Sequence, residues 1–333
     1  MQTERLVSIV YPVYNGEKYI KRSFLSCINQ TCDESAYEII VVDDGSQDHS
    51  IDLIMDEIRS HPNVRLHRQS NHGLSHARNT GISLASGKYI WCVDSDDVIY
   101  ENAISTIVSA VGEKDYDIVA IGADAEHVGW LDDRTPYLKK IKSNECSGNT
   151  LLSIKLLRGC AQFYLFHKEF LEKNRLRFYN GIYYEDTEFT PRAISKSKSI
   201  YLIKESLYKT VFTPNSISRS KPTEKRCLDL LFVAKRLIRF GRTCSDRRKR
   251  LSIYRIACSP LNLFLAYSTV IRTDKTIKAS YESRKYYHYL VFSRKPAVVL
   301  EGLLSFLPTK VFLAVYRFSR HLFERCGAKK KIG

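Results

Sequence analysis

Apolar runs alternate with helical repeats along the first 100 residues of the chain. Four segments have the length of strands and lie at residues 5–14, 37–42, 64–67 and 88–93, and the first two are apolar enough to be buried. Between these runs, apolar residues recur every three or four positions, which predicts helices at residues 17–30, from the turn at 43–46 to residue 58, and at 74–85. This alternation predicts an α/β fold with a doubly wound, mostly parallel sheet flanked by helices.

The pattern is less regular after residue 100. It predicts a helix and then strands and helices in the order strand 117–123, helix 151–157, strand 162–167, helix 183–195, and short strands 199–203 and 206–212. From residue 222 onward the pattern is one of amphipathic helices rich in Lys, Arg, Leu and Tyr. We therefore expect two domains, with the sheet in residues 1–220 and a helical extension in residues 221–333.

Polar residues directly follow three of the predicted strands. They are Tyr14 and Asn15 after the first strand, Asp43 and Asp44 after the second, and Asp94 and Asp96 after the fourth. Ligands of open α/β sheets bind at the carboxyl ends of the strands. We therefore expect these side chains to form one site at that edge of the sheet.

The sequence Asp94-Ser95-Asp96-Asp97 places three acids within four positions. Carboxylates this close repel one another, and a divalent cation relieves the repulsion. Carboxylate oxygens suit Mg²⁺ or Mn²⁺, which usually keep coordination positions open for a substrate diphosphate. The alternative is an acidic loop that caps the next helix, with Asp97 as the acid at the helix start.

Positive charge is concentrated at the end of the chain. Residues 216–333 contain 27 Lys and Arg against 7 Asp and Glu, whereas residues 1–215 contain 25 against 29. Such asymmetry indicates a polyanionic partner, either an anionic membrane or a nucleic acid. No nucleic-acid-binding motif is recognised, which favours the membrane. The nine cysteines form no Cys-x-x-Cys pair, and no signal-peptide pattern begins the chain, so we expect the cytoplasmic compartment.

The most apolar stretch is residues 296–317, which Glu301, Pro308 and Lys310 interrupt. A spanning helix needs about 20 apolar residues, so this stretch instead predicts two helices lying in the membrane interface. The basic residues 329–331 would follow them at an anionic surface. The alternative is a pair of core helices with a solvated basic face.

Five segments together carry a resemblance to a known family. They are residues 7–15, 39–46, 73–81, 94–97 and 184–189, within a match over residues 5 to about 215. In this order and spacing they resemble the inverting family 2 glycosyltransferases with the GT-A fold, of the type that builds bacterial surface polysaccharides. The resemblance implies a Rossmann-like sheet, a nucleotide-sugar donor with UDP as the usual nucleotide, and Mn²⁺ or Mg²⁺ as cofactor.

The resemblance also implies roles for individual residues. Nucleotide-binding positions would be Pro12, Val13, Tyr14, Asp44, Arg78 and Asp94. Of these, Asp44 would accept a hydrogen bond from the uracil imide, and Arg78 would lie near the ribose or diphosphate. Asp96 would bind the metal, either alone or together with Asp94, which would otherwise contact the ribose. A surface helix position is the alternative for Arg78.

The general base would be Asp186, with Glu185 as the alternative. An acceptor hydroxyl needs one carboxylate to remove its proton as the new bond forms. Adjacent helical residues point about 100° apart, so only one of these two can face the sugar. Another possibility is that these acids and Glu188 merely favour the helix N-terminus.

One segment departs from the family pattern. Many relatives have a Tyr-Tyr-Arg sequence where this chain has Tyr208-Lys209-Thr210, so Lys209 or Arg219 would have to supply positive charge to the diphosphate. His72 and His76 have either a pocket role or a capping or surface role.

The expected function is metal-assisted, inverting transfer of a hexosyl or N-acetylhexosaminyl group from a UDP-sugar to a saccharide acceptor. We expect the acceptor to be lipid-linked. The basic extension predicts a peripheral or monotopic protein on the cytoplasmic face of the cell membrane. The alternative is a non-catalytic, basic nucleic-acid- or membrane-binding protein on a transferase-like fold.

Overall fold

The computed structural model describes residues 6–112, 114–126, 135–153, 160–213, 221–293, 295–305, 307, 311–312 and 314–316. The chain divides into two compact units, Met1–Arg219 and Ser220–Gly333. The roles expected for the two parts of the chain remain predictions.

The described residues of the first unit contain nine strands and eight α-helices. The strands are β1 (Val7–Val13), β2 (Tyr37–Asp43), β3 (Val64–Arg68), β4 (Tyr89–Cys92), β5 (Val98–Ile99), β6 (Ile118–Ala125), β7 (Glu145–Cys146), β8 (Tyr164–His167) and β9 (Ile200–Thr210). The helices are α1 (Ile20–Ile28), α2 (Met55–Ser60), α3 (Leu74–Leu84), α4 (Ala103–Val111), α5 (Thr135–Leu138), α6 (Gly148–Ser153), α7 (Lys168–Lys173) and α8 (Glu185–Lys196). Short 3₁₀ turns lie at Glu34–Ala36, Asp52–Ile54 and Ala161–Phe163.

One sheet joins these strands in the order β3-β2-β1-β4-β8-β6-β9-β5, and β7 also pairs with β9. Strands β1 to β4 are parallel to one another, as the alternating pattern predicts. Every residue of β1 and β2 is buried, because helices cover both faces of the parallel part. The carboxyl ends of these four strands therefore lie at one edge of the sheet.

The second half of the sheet is mixed. Strand β8 runs antiparallel to β4 and β6, whereas β6 and β9 are parallel. The two short strands expected at residues 199–203 and 206–212 are in fact one strand, β9. A register shift beside Gly122 lets β9 continue, and a side chain at Gly122 would collide with the carbonyl oxygen of Glu205.

Two predicted helices differ from the structure in extent. The helix expected to end near residue 58 is the turn Asp52–Ile54 followed by the short α2. The helix expected at residues 151–157 begins earlier, as α6, and residues 154–159 lie outside the described part of the chain.

The second unit is helical throughout its described residues. Its helices are α9 (Glu224–Thr243), α10 (Arg247–Val270), α11 (Asp274–Glu282), α12 (Arg284–Tyr287) and α13 (Pro296–Leu304), with a 3₁₀ turn at His288–Phe292. Helices α9 and α10 pack together across a three-residue connection. The side chains of Thr223 and Asp246 cap them by accepting from backbone N–H groups of the first turn.

Among the described residues, no helix is long and apolar enough to cross a membrane. Part of the stretch 296–317 is helical, in α13 and at residues 311–312 and 314–316. Residues 306, 308–310, 313 and 317, and the basic residues 329–331, lie outside the described part. The interfacial location predicted for this stretch remains a prediction.

Candidate active site

Hydrogen bonds join the loops after β1 and β2 at the edge of the sheet. The backbone N–H of Asp44 donates to the carbonyl of Val13 at 2.8 Å, and the N–H of Gln47 donates to Asn15 Oδ1 at 2.8 Å. Pro12 and Val13 are buried in β1, whereas Tyr14 beyond the strand is half exposed. Pairing of β1 with β4 ends before Pro12, so its missing N–H breaks no ladder bond on that side.

Asp44 is a buried carboxylate oriented by three donors. Its Oδ1 accepts from Gln69 Nε2 at 2.7 Å and from the N–H of His72 at 2.9 Å, and its Oδ2 accepts from the N–H of Gly73 at 2.8 Å. Gly73 has φ of +88°, a conformation that strains other residues, and it turns the chain into α3. The carboxylate is therefore rigidly held, and Oδ2, which accepts from Gly73, retains capacity to accept a further hydrogen bond.

Asp43 contributes differently from Asp44. Its Oδ1 accepts from the N–H of Ser46 at 2.9 Å and its Oδ2 lies 3.8 Å from Arg68 Nε. The expectation that Asp43 is a turn residue is consistent with these contacts.

Arg78 on α3 is the most buried charge at this edge, with 2% of its side chain exposed. Its Nη2 donates to Asp94 Oδ1 at 2.6 Å and its Nη1 donates to Glu185 Oε1 at 2.7 Å. Burial alone would lower the pKa of Arg78, but the charges of Asp94 and Glu185 outweigh it and raise the pKa above its ordinary value. The alternative of a surface arginine is therefore wrong, and the guanidinium bridges two carboxylates from distant parts of the sequence.

The three acids after β4 have separate surroundings. Asp94 pairs with Arg78, and Asp96 Oδ2 accepts from Thr213 Oγ1 at 3.2 Å. Asp97 is buried and accepts from Tyr208 Oη at 2.6 Å and from the N–H of Val211 at 2.8 Å.

The role of Asp97 as the start of a helix is therefore a wrong prediction. The residue precedes strand β5, and the next helix, α4, begins only at Ala103. Burial raises the pKa of Asp97, and the charges of Asp96 and Asp94 raise it further.

Helix α8 brings Glu185 and Asp186 to the other side of Arg78. The chain enters the helix through Tyr184, whose φ of +64° is unusual for a residue other than glycine. Glu185 is held by Arg78, while Asp186 Oδ1 accepts from the N–H of Thr187 at 2.7 Å. Burial raises the pKa of Asp186, the charge of Glu185 raises it further, and Arg78 opposes both. A carboxyl group with a raised pKa is a better proton acceptor at neutral pH than an ordinary aspartate.

Glu188 has a structural environment. It is fully buried, and its Oε2 accepts from Arg192 Nη2 at 2.7 Å one turn further along α8.

The carboxylates fit a cation that arrives with a diphosphate. Within the described residues there is no cluster of three or more His, Cys, Asp or Glu that could hold a metal. Asp94 and Asp96 nevertheless supply two partly exposed hard-oxygen side chains at the sheet edge. Mg²⁺-type ions commonly use one or two carboxylates and complete their shell with water and substrate phosphates. The donor set thus suits a cation shared with substrate.

The remaining candidate residues are less directly placed. His76 Nδ1 lies 3.0 Å from Gln69 Nε2, and the rings of His72 and His76 are 4.7 Å apart. Arg219 lies outside the described residues. Gln69, which donates to Asp44, is not among the residues predicted from the sequence, although it directly follows β3 and its place at a strand end would have identified it.

Fold and site together define an α/β protein with buried polar groups at the carboxyl edge of a parallel sheet, where open α/β sheets bind their ligands. Residues 8–175 match the family described as "Glycosyl transferase family 2". The chain belongs to this family, which confirms the resemblance found in the sequence. It is also similar to the uncharacterized glycosyltransferase YibD of Escherichia coli K12, with 28% identity over 225 residues. That match covers 66% of this chain and 65% of YibD, less than two thirds of the relative's length.

Solved structures show the same fold. Staphylococcus aureus TarS 1–349, in complex with UDP-GlcNAc, superposes with a TM-score of 0.71 at 17% identity, covering 96% of this chain and 92% of TarS. The mannosyltransferase PcManGT of Pyrobaculum calidifontis, in complex with GDP-Man and Mn²⁺, gives a TM-score of 0.52 at 14% identity, covering 95% and 88% of the two chains. At these identities the likeness shows the fold, and the expected GT-A architecture with a helical C-terminal region is confirmed.

Proposed function

We propose that this glycosyltransferase moves a hexosyl or N-acetylhexosaminyl group from a UDP-sugar to an acceptor hydroxyl with inversion. The observation that carries the proposal is the bridge made by Arg78. It donates to Asp94 at the donor edge and to Glu185 at the start of α8, which brings Asp186 beside the donor acids. A nucleotide-sugar bound along the edge would then have a carboxylate base close to its sugar.

Asp44 is the residue we assign to the nucleotide base. The carboxylate is buried and oriented by backbone N–H groups, so it can accept the imide N–H of uracil without reorganisation. A base that presents an acceptor at that position, such as cytosine, would place its ring nitrogen acceptor against the carboxylate acceptor without a hydrogen bond between them. The UDP-GlcNAc bound by TarS supports UDP as the nucleotide. Pro12, Val13 and Tyr14 would form the adjacent wall of the base pocket.

Asp186 is favoured over Glu185 as the base. Glu185 Oε1 receives a short charge-assisted bond from Arg78, so this oxygen is already engaged by the guanidinium. The pKa of Asp186 is raised by burial and by Glu185, which strengthens Asp186 as a proton acceptor. In this assignment Asp186 removes the proton of the acceptor hydroxyl as the bond to the sugar forms on the face opposite UDP.

Asp96, with or without Asp94, would hold Mn²⁺ or Mg²⁺. Enzymes of the family commonly use divalent metals, and PcManGT carries Mn²⁺. A bound cation would neutralise the charge that develops on the departing diphosphate.

The donor assignment is tested with a panel of UDP-sugars and Mn²⁺, by measuring released UDP and binding of UDP itself. Asp96→Asn should abolish the metal-dependent part of UDP binding. Asp52→Asn is the matched control, because the Asp52 side chain is 73% exposed and its ion-pair partner is His49. If UDP stabilises the Asp96 variant as much as the wild type in Mn²⁺, the metal assignment is wrong. UDP binding without turnover of any donor would favour a non-catalytic binding protein.

The second unit would carry the enzyme to an anionic membrane, where we place a lipid-linked acceptor of surface-polysaccharide assembly. Five large apolar side chains along the C-terminal helical stretch are exposed, namely Leu300, Leu303, Leu307, Val311 and Val315. Leu300 and Leu303, three positions apart in α13, lie on one side of that helix. An exposed apolar stripe in a strongly basic segment suits the cytoplasmic face of the cell membrane.

Vesicle sedimentation tests this location. The full chain should bind vesicles containing anionic lipid at about 150 mM salt, near physiological ionic strength, and removal of residues 296–333 should abolish binding. Leu300→Ser with Leu303→Ser should weaken binding without changing charge. Equal binding by the truncated chain would contradict the membrane assignment, and retardation by DNA at the same salt would favour the nucleic-acid alternative.

A further inference from the structure

Asp97 is the one acid of the 94–97 segment whose carboxylate is turned into the protein. It is 4% exposed, and one oxygen accepts from Tyr208 Oη at 2.6 Å while the other accepts from the N–H of Val211 at 2.8 Å. Both donors belong to β9 or to the residue that follows it. Asp97 therefore joins residues 94–97 to the end of β9 through two hydrogen bonds.

The Tyr208 hydroxyl contacts both Asp97 and Asp94. Its hydroxyl donates to Asp97 and also lies 3.4 Å from the backbone N–H of Asp94, from which it can accept. The ring is buried against Trp91 at 6.3 Å and Phe163 at 5.6 Å between centroids. The hydroxyl is thus fixed in position by packing and touches both ends of the acid segment.

Two further contacts join residues 96–99 to β9 and the residues that follow it. Strand β5, directly after Asp97, pairs with β9 through Val98 opposite Lys209 and Ile99 opposite Tyr208. Thr213 Oγ1 donates to Asp96 Oδ2 at 3.2 Å. Residues 94–97 are consequently held near β9 in two ways. The strand that follows them, β5, pairs with β9, and the side chains of Asp96 and Asp97 accept hydrogen bonds from β9 and the residues after it.

We infer that Tyr208 and Asp97 are positioning residues for the nucleotide-sugar donor, which fix the 94–97 turn so that Asp94 and Asp96 face the diphosphate and its cation in one arrangement. The inference rests on the proposed function. Its physical basis is that neighbouring carboxylates repel one another, and a loop free to respond would move them apart. The two hydrogen bonds to Asp97 are short and buried, so they restrict the turn, and binding groups must be held to within about 0.5 Å of their working position.

The test is Tyr208→Phe, assayed by calorimetric titration of UDP in the presence of Mn²⁺ and by thermal unfolding. We expect UDP to bind about tenfold more weakly, a change of the size that one hydrogen bond contributes. The Mn²⁺ concentration required for half-maximal UDP binding should rise in parallel. In turnover, the KM for the UDP-sugar should rise more than kcat falls.

Tyr89→Phe is the matched control. The Tyr89 hydroxyl is also buried and accepts a backbone N–H, that of Tyr116 at 3.0 Å, but at the opposite end of β4. This variant should lower the melting temperature to a similar extent and leave UDP binding and its Mn²⁺ dependence unchanged.

Asp97→Asn is a second, independent variant, because asparagine keeps the shape and one acceptor oxygen while removing the charge. We expect a smaller loss of UDP affinity than for Tyr208→Phe, and a double variant no weaker than the Tyr208 variant alone. The inference would be overturned if the wild type binds UDP and both variants bind it with affinities within about twofold of the wild type. The proposed function would then still stand. A wild-type protein that fails to bind UDP would instead overturn the proposed function, and this inference with it.

Discussion

Replacement of Arg78 by methionine should strongly destabilise the first unit and should also disrupt the donor site. The guanidinium is 2% exposed and makes two charge-assisted bonds, to Asp94 at 2.6 Å and to Glu185 at 2.7 Å. Methionine fills a similar volume but leaves the Glu185 side chain, only 11% exposed, without its cation. Breaking a buried ion pair on one side costs about 3–5 kcal/mol. For a domain of this size, each kcal/mol lowers the melting temperature by about 2–4 °C, so we expect a fall of about 6–20 °C.

The double variant Arg78→Met with Glu185→Gln separates the ion pair from packing. Glutamine removes the unpaired buried charge, so the double variant should be more stable than Arg78→Met alone by about 1–3 kcal/mol. Chemical denaturation of the wild type, both single variants and the double variant gives this coupling directly. A coupling within about 0.5 kcal/mol of zero, or an Arg78→Met variant within about 1 kcal/mol of the wild type, would refute the bridge.

Arg192 provides the control for function. It makes a comparable buried pair, with Glu188 at 2.7 Å, and also donates to the carbonyl of Arg177 at 3.0 Å. Arg192→Met should therefore cost similar stability while UDP binding, measured well below both melting temperatures, survives. Loss of UDP binding in both variants would mean that Arg78 acts only through stability.

Three further predictions concern individual carboxylates. Asp186→Asn should slow transfer by about 10²–10⁴-fold, because it removes the proposed base. It should also raise the unfolding free energy at pH 7–8, because the raised pKa of Asp186 means that its ionised form is penalised in the folded protein. Denaturation at several pH values should show this gain vanish below the ordinary aspartate pKa of about 3.9, where the side chain becomes protonated in both states. Glu185→Gln should move the acidic limb of the rate profile to lower pH, since the charge of Glu185 raises the pKa of Asp186, and an unmoved limb would contradict that coupling. Asp44→Asn should weaken UDP binding about 10–100-fold and reduce the preference for UDP over CDP, whereas an unchanged preference would remove Asp44 from the base pocket.

The sequence pattern was sufficient for the parallel part of the sheet. Strands β1, β2 and β4 are buried on both faces, so their apolar runs are continuous and their ends are marked by the first polar residues. Because parallel strands end at one edge, the grouping of Asp44 with Asp94 follows from topology alone.

Side-chain partners far apart in the sequence could not be predicted in this way. Arg78 looks like a surface helix residue until α8, 107 positions away, brings Glu185 to it. Asp97 looks like a helix-start acid until β9 brings Tyr208 and Val211, 111 and 114 positions away. Local rules assign such residues to solvent or to a cap because the burial that defines them is created by other parts of the chain.

The three acids of the 94–97 segment also show how the fold tolerates their charge before any substrate binds. Asp94 is paired with Arg78, Asp96 accepts from Thr213, and Asp97 accepts from Tyr208 and Val211. Each carboxylate thus has its own donors, so folding need not depend on a cation to relieve their repulsion. We therefore expect chelation with EDTA to leave the melting temperature of the free protein unchanged and to abolish the rise in melting temperature that UDP produces in Mn²⁺. A fall in the melting temperature of the free protein on chelation would show that the cation belongs to the fold rather than to the donor.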